Sequence, residues 1–153
     1  MDFNDTIRNI LRIGRNIRVY YDRELQEYGI GWAQQHLLLH IYGNPGSTAQ
    51  ELRDVFLTEK SAISKGIRKL YEEGYVRIET DEQDRRAKRL YPTEKAEEAV
   101  RAIREIQSRM SESLSLEFTE QGKKNLDKDL KKFFRVTDRG IGEKSSEQHQ
   151  YEE

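Results

Sequence analysis

The sequence contains no cysteine, no excess of either charge sign and no long apolar run. Without Cys we expect no disulfide, no thiolate zinc site, no cysteine nucleophile and no thiol redox switch. No apolar stretch approaches the roughly 20 residues of a membrane span, and the polar start MDFNDTIRN is unlike a signal peptide. We therefore expect one ordinary domain without a membrane association, working in the cytoplasm.

The missing charge excess first argues against nucleic acid, because a basic surplus is the usual electrostatic signature of such proteins. Lys and Arg number 27 and Asp and Glu 28, which gives a net charge of −1. The charges are unevenly distributed, however. Residues 138–153 contain five acids and two bases, and we interpret them as an acidic, disordered tail. Two basic islands, residues 60–69 and 85–89, carry four bases each, and neither contains an acid.

Hydrophobic periodicity predicts a mainly helical protein. The predicted elements are a first helix from about Ile7 to Tyr28, a second over Trp32–Tyr42, a third over Thr48–Val55, a fourth over Glu59–Glu73, strands at Tyr75–Thr80 and Ala87–Tyr91, and two long helices that begin after Thr93 and Thr119. The expected helix caps are Ser47 or Thr48 for the third helix, Thr58 for the fourth, and Thr93 and Thr119 for the two long helices.

The third and fourth helices, with the short turn between them, have the spacing of a helix-turn-helix. On a helical wheel, Ile63, Ile67, Leu70 and Tyr71 form one apolar stripe of the fourth helix. The opposite face is small near its start and basic further along, with Lys60, Ser61, Ala62, Ser64, Lys65, Arg68 and Lys69. Small residues allow the backbone to approach base edges and cations neutralise phosphates, so this face suits a major groove. A solvated amphipathic helix is the alternative.

The hairpin that follows favours the first interpretation, because its tip and return strand carry Asp84, Arg85, Arg86, Lys88 and Arg89. A hairpin beside a recognition helix is a wing. An arginine at its tip can enter a narrow minor groove. We expect Asp84 to hold the guanidinium of Arg86, and Arg89 to support the wing.

These residues resemble the MarR family of transcriptional regulators. The resemblance extends over about residues 7–136 and is carried by the stretch EKSAISKGIRKL at 59–70 and by the wing pattern Asp-x-Arg-x-x-Arg at Asp84, Arg86 and Arg89. This sequence departs from the family by Lys65 in place of a frequent Arg and by Ala96 in place of a frequent Gly. Gly66 is a third departure, which costs the helix about 1 kcal/mol relative to Ala.

The resemblance implies a mainly α winged helix-turn-helix whose long N- and C-terminal helices form a dimerisation layer. We expect a MarR-like domain over 1–137, with the winged helix at about 30–92 and dimerisation helices at about 4–28 and 93–137. The apolar stripes of these terminal helices independently indicate a homodimer. A two-fold dimer would bind a pseudo-palindromic double-stranded operator, most simply as a repressor.

Three further hypotheses concern other sites and functions. The resemblance implies a small aromatic ligand between dimer layer and winged helix, for which Arg15, Tyr20, Trp32 and His36 are the candidates; ordinary aromatic packing is the alternative.

His36 and His40 have the i, i+4 spacing of metal ligands, and some relatives sense zinc, but we favour a helix face without metal. We find no catalytic triad or phosphate loop, so we expect neither an enzyme nor a cofactor. A winged-helix protein-interaction module or a metal-responsive regulator is the alternative function.

Overall fold

The computed structural model describes residues 2–56 and 58–140. Its elements in chain order are α1 (Phe3–Glu24), a 3₁₀ turn (Gln26–Tyr28), α2 (Trp32–Gly43), β1 (Ser47–Thr48), α3 (Ala49–Phe56), α4 (Lys60–Glu72), β2 (Val76–Thr80), β3 (Lys88–Pro92), α5 (Ala96–Glu117) and α6 (Glu120–Asp138). The prediction of a mainly helical winged helix-turn-helix is confirmed. None of the helices in the described ranges is long and apolar enough to cross a membrane.

By compactness the chain divides into two units, Met1–Arg109 and Met110–Glu153. The first unit holds the helix-turn-helix and a three-stranded antiparallel sheet of order β1-β3-β2. Its core consists of aliphatic side chains from α2, α3, α4 and α5 that are almost fully buried, among them Leu37, Leu38, Ile41, Leu52, Ile63, Leu70, Val100 and Ile103. The predicted domain bounds remain predictions.

The second unit contains the end of α5 and the whole of α6. Thr119 caps α6 as predicted, because its hydroxyl accepts a hydrogen bond from the backbone N–H of Gly122 at 3.0 Å. No residue of α6 is buried, and its apolar residues Leu126, Leu130 and Phe134 are 44–60% exposed. The helix extends to Asp138, where the sequence analysis began the tail, and residues 141–153 of that tail lie outside the described residues.

Local capping rules predicted some helix starts and failed at others. Thr48 forms a capping box with Glu51: its Oγ1 accepts from the Glu51 N–H, and the Glu51 carboxylate accepts from the Thr48 N–H, both at 3.2 Å. The prediction for Thr58 was wrong, because Glu59 occupies the N-cap of α4 and provides no side-chain cap. Thr93 does not cap α5 either, since its hydroxyl donates to the carbonyl of Gly74 at 2.6 Å.

Gly66 allows α4 to pack closely against α2. It is buried in the middle of α4, and a Cβ at this position would overlap the Leu37 side chain, which is itself 1% exposed. From the sequence alone, Gly66 was only a residue of poor helix propensity. The structure shows that the glycine brings the recognition helix against the core.

Replacing Gly66 by Ala should destabilise the fold despite the better helix propensity of Ala. Overpacking in a core costs about 1–3 kcal/mol, which exceeds the gain of up to about 1 kcal/mol in propensity. We expect a lower free energy of unfolding in urea. Gly43→Ala is the control, because nothing lies within 4 Å of a Cβ there. Equal stabilisation by both substitutions would contradict the packing argument.

Candidate nucleic-acid interface

The surface of α4 opposite its buried stripe is formed by the predicted recognition residues. The buried residues of α4, which face the core of the first unit, are Ile63, Gly66, Ile67 and Leu70. Tyr71, predicted to lie with them, is 56% exposed. The opposite surface carries only exposed predicted residues, namely Lys60, Ser61, Ala62, Ser64, Lys65 and Arg68. α4 contains no acid before its last residue, Glu72, so this surface combines close backbone access with positive charge.

Lys69 lies differently from the other predicted cations. Its Nζ is 3.0 Å from Oε1 of Glu73, one turn further along, and both side chains are partly buried. The ammonium group therefore already has an anionic partner at the C-terminal end of α4. This pair is intramolecular and only partly buried, so the phosphate contact expected of Lys69 stays a prediction.

The wing is the hairpin of β2 and β3, and its tip is ordered by Asp84. Oδ1 of Asp84 accepts a hydrogen bond from the backbone N–H of Arg86 at 3.0 Å, and its carbonyl accepts from the N–H of Ala87 at 3.0 Å. The prediction that Asp84 holds the Arg86 guanidinium was therefore wrong: Asp84 shapes the turn through the backbone. The Arg86 side chain is exposed and forms no ion pair with any residue that the structure describes. It is available to an external anion.

The wing ion pair joins Arg89 to Asp81, a residue that the sequence analysis missed. Nε of Arg89 lies 2.8 Å from Oδ2 of Asp81, and its Nη1 donates to the carbonyl of Gly46 at 2.9 Å. The pKa of Asp81 is held below its usual range by the N–H of Gln83 and by Arg89. Arg89 thus fixes the start of the wing connector to the turn after α2. Only the hairpin register reveals that these two residues lie near each other.

Charge on the wing is polarised. A groove of about 450 Å³ beside β2 is lined mostly by acidic and polar groups, including Glu79, Asp81 and Glu82. The tip and the return strand carry the exposed cations Arg85, Arg86 and Lys88. A polyanion is therefore attracted more strongly to the tip of the wing than to its β2 side, where Glu79 pairs with Arg77 and Asp81 with Arg89.

The aromatic candidates for a ligand site form, with Tyr21 and Phe56, a run of ring contacts that are edge-on except for the tilted contact of Trp32 with His36. Ring centroids are 6.5 Å apart between Tyr20 and Tyr21, 5.3 Å between Tyr21 and Trp32, and 4.7 Å between His36 and Phe56. Such contacts are ordinary aromatic packing. Arg15 is exposed on α1.

A groove of about 330 Å³ lies between α2 and α5 in the first unit, where the guanidinium of Arg104 stands 5.7 Å from the ring of Tyr42. None of the four predicted ligand residues lines it.

The rings of His36 and His40 both point at Phe56, with centroids 4.7 Å and 5.8 Å away. Within residues 2–56 and 58–140 no three His, Asp or Glu side chains come together in a metal-binding arrangement. The contacts that the structure gives this pair are those of packing residues at the end of α3.

Burial lowers the pKa of His36 below its ordinary value, while the Trp32 carbonyl, 3.3 Å from Nδ1, opposes the shift. The folded state therefore binds fewer protons at this residue than the unfolded state. The contribution of His36 to the free energy of unfolding is therefore complete above pH ~6.5, the ordinary pKa of His. It decreases as the pH falls below that value. We expect His36→Gln to lose less thermal stability than the parent protein between pH 7.5 and 5.5. Equal losses of thermal stability in the parent protein and the variant over this pH range would contradict this expectation.

Comparisons with known proteins agree with this geometry. A sequence model described as MarR family matches residues 28–87, which run from the end of the 3₁₀ turn through the wing tip. The chain is 31% identical to a protein whose crystal structure is named MarR; the match has a TM-score of 0.73 and covers 91% of this chain and 95% of that one.

Two further matches extend this likeness. The HTH-type transcriptional regulator YybA of Bacillus subtilis, itself uncharacterized, is 27% identical over 123 residues, which cover 80% of this chain and 82% of YybA. The structure of S. aureus MepR in complex with DNA matches with a TM-score of 0.79 over 90% of this chain and 99% of that one; at 19% identity it shows a shared fold. With the helix-turn-helix, the wing and a match above 30% over nearly the whole chain, this protein belongs to the MarR family of transcriptional regulators.

Proposed function

We propose that this regulator binds double-stranded DNA as a homodimer and represses transcription from a pseudo-palindromic operator. The observation that carries the proposal is the exposed face of α4 from Lys60 to Arg68, which has small residues, cations and no acid, together with the exposed Arg86 of the wing tip, which forms no ion pair within the residues that the structure describes. MepR, which shares the fold, was solved in complex with DNA. The function is binding, not catalysis, and we place it in the cytoplasm with the chromosome.

The residues have distinct roles in this proposal. Ser61, Ala62, Ser64 and Lys65 lie nearest the base edges of the major groove, where Lys65 reads a purine acceptor. Lys60 and Arg68 contact phosphates. Arg86 enters the adjacent minor groove. Asp84 and Arg89 act indirectly, because they shape the wing that presents Arg86.

Exposed apolar residues support the dimer. On α1, Ile7 and Leu11 are 45% and 69% exposed, and α6 has no buried residue although Leu130 and Phe134 lie on one of its faces. Faces of this kind mark association surfaces. We expect sedimentation equilibrium to give twice the chain mass of 18.1 kDa.

We also propose that a small aromatic ligand controls the regulator. Arg15, Tyr20, Trp32 and His36 remain its candidate residues, since Arg15 offers a cation and the three rings offer stacking surfaces. The ring contacts join α1 to Phe56 at the end of α3, so a ligand here would act on the helix-turn-helix through packing.

Arg86→Ala should weaken operator binding by about 1–3 kcal/mol, because the variant loses the minor-groove contact. Equilibrium binding to a duplex selected from a random library by the parent protein measures this effect. Arg12→Ala, which removes an exposed arginine of α1, is the matched control. Unchanged affinity of the Arg86 variant would overturn the wing assignment.

Lys65 and Arg68 should differ in the kind of binding energy that they provide. Lys65→Ala should cost about 1–3 kcal/mol and relax selectivity at one position of the operator. Arg68→Ala should weaken binding to all sequences and reduce the log–log salt slope by about 1. The same salt titration separates the alternative function: failure to bind any duplex at low salt would favour a protein-interaction module.

A further inference from the structure

The C-terminal end of α4 is fastened on two sides by three residues, Glu73, Tyr75 and Lys95, which we call the clamp. Lys95 Nζ donates to the Glu73 carbonyl at 2.6 Å, and the Tyr75 hydroxyl donates to the carbonyl of Tyr28 at 2.5 Å. These contacts connect residues 22 and 47 positions apart. The end of the recognition helix is thereby tied to other parts of the first unit.

On the first side, the segment leading into α5 satisfies three successive carbonyls after α4. The carbonyl of Glu73 accepts from Lys95, that of Gly74 from the hydroxyl of Thr93 at 2.6 Å, and that of Tyr75 from the N–H of Thr93 at 3.0 Å. The last carbonyls of a helix have no partner within the helix, and an ammonium group there also complements the helix dipole. Lys95 Nζ in addition stands 4.9 Å from the centre of the Tyr75 ring.

On the second side, the clamp reaches the junction between α1 and α2. The ring of Tyr75 is 2% exposed, and its hydroxyl ends at the backbone of the 3₁₀ turn. The Glu73 carboxylate, paired with Lys69, lies so close to Gly29 that a Cβ there would overlap it. Gly29 also has φ +71°, in the left-handed region that favours glycine. The junction thus has a shape that accepts the end of α4.

We propose that Glu73, Tyr75 and Lys95 are positioning residues that fix the direction of α4 relative to α1 and the start of α5, and thereby set the half-site spacing that the dimer accepts. The inference rests on the proposed function. Lys60 begins α4 about 20 Å from Glu73, at 1.5 Å per residue. A rotation of about 10° at the clamp would move that end by about 3.5 Å, close to the rise of one base pair, ~3.4 Å.

The test uses the full chain and a panel of duplexes. The parent protein first selects a palindromic duplex from a random library, and derivatives of it separate the half-sites by one base pair more or fewer. We expect the parent protein to prefer the selected spacing by roughly tenfold or more, the size of a mismatch at one base pair. Tyr75→Phe and Lys95→Met should reduce that preference to roughly threefold or less.

Tyr71→Phe is the matched control, because it removes a hydroxyl from the same helix that forms no hydrogen bond among the described residues. It should keep the preference of the parent protein, and Lys95→Arg should restore it. Lys95 is exposed, so Lys95→Met leaves the core intact. This variant still tests the inference if Tyr75→Phe fails to fold. Folded, dimeric clamp variants that keep the parent preference would overturn this inference alone. A parent protein that selects no duplex would overturn the proposed function and this inference together.

Discussion

The recognition helix packs closely against α2 at Gly66, and the position of its exposed face depends on that contact. Because no side chain stands between Gly66 and Leu37, the buried stripe of α4 lies deep in the core. The exposed face of α4 from Lys60 to Arg68 then carries only small and basic residues. A larger residue at 66 would overlap Leu37, so that either this side chain or α4 itself would have to move.

The positive charge of this protein is concentrated on two exposed surfaces, one on α4 and one at the wing tip. The whole chain has a net charge of −1, yet the exposed face of α4 and the wing tip are basic. The structure also uses part of the positive charge internally, since Lys69 pairs with Glu73 and Arg89 with Asp81. Fewer cations therefore remain for phosphates than the sequence contains. This predicts weak non-specific binding and greater dependence on sequence readout and dimer geometry.

The sequence was sufficient for features that depend on local rules. The order of the helices and the hairpin followed from hydrophobic periodicity, and the caps at Thr48 and Thr119 followed from residue type and spacing. The errors occurred where a tertiary partner competes. Thr93 donates to the Gly74 carbonyl and does not cap α5, and β1 is only two residues long, too short for any periodic signal. The Asp81–Arg89 pair could not be predicted because it depends on the hairpin register. The sequence instead suggested Asp84 as the partner of a wing arginine, since it lies two residues before Arg86.

The polarised wing has a kinetic consequence. A duplex that approaches the β2 side meets the ion pairs Arg77–Glu79 and Arg89–Asp81, whereas one that approaches the tip meets the exposed cations Arg85 and Arg86. An electric field that is stronger at the tip than along β2 would turn an encounter complex until the wing tip faces the duplex, before contact is made. In the proposed complex with DNA, the internal ion pairs of the β2 side would therefore shorten the search for the correct docking angle.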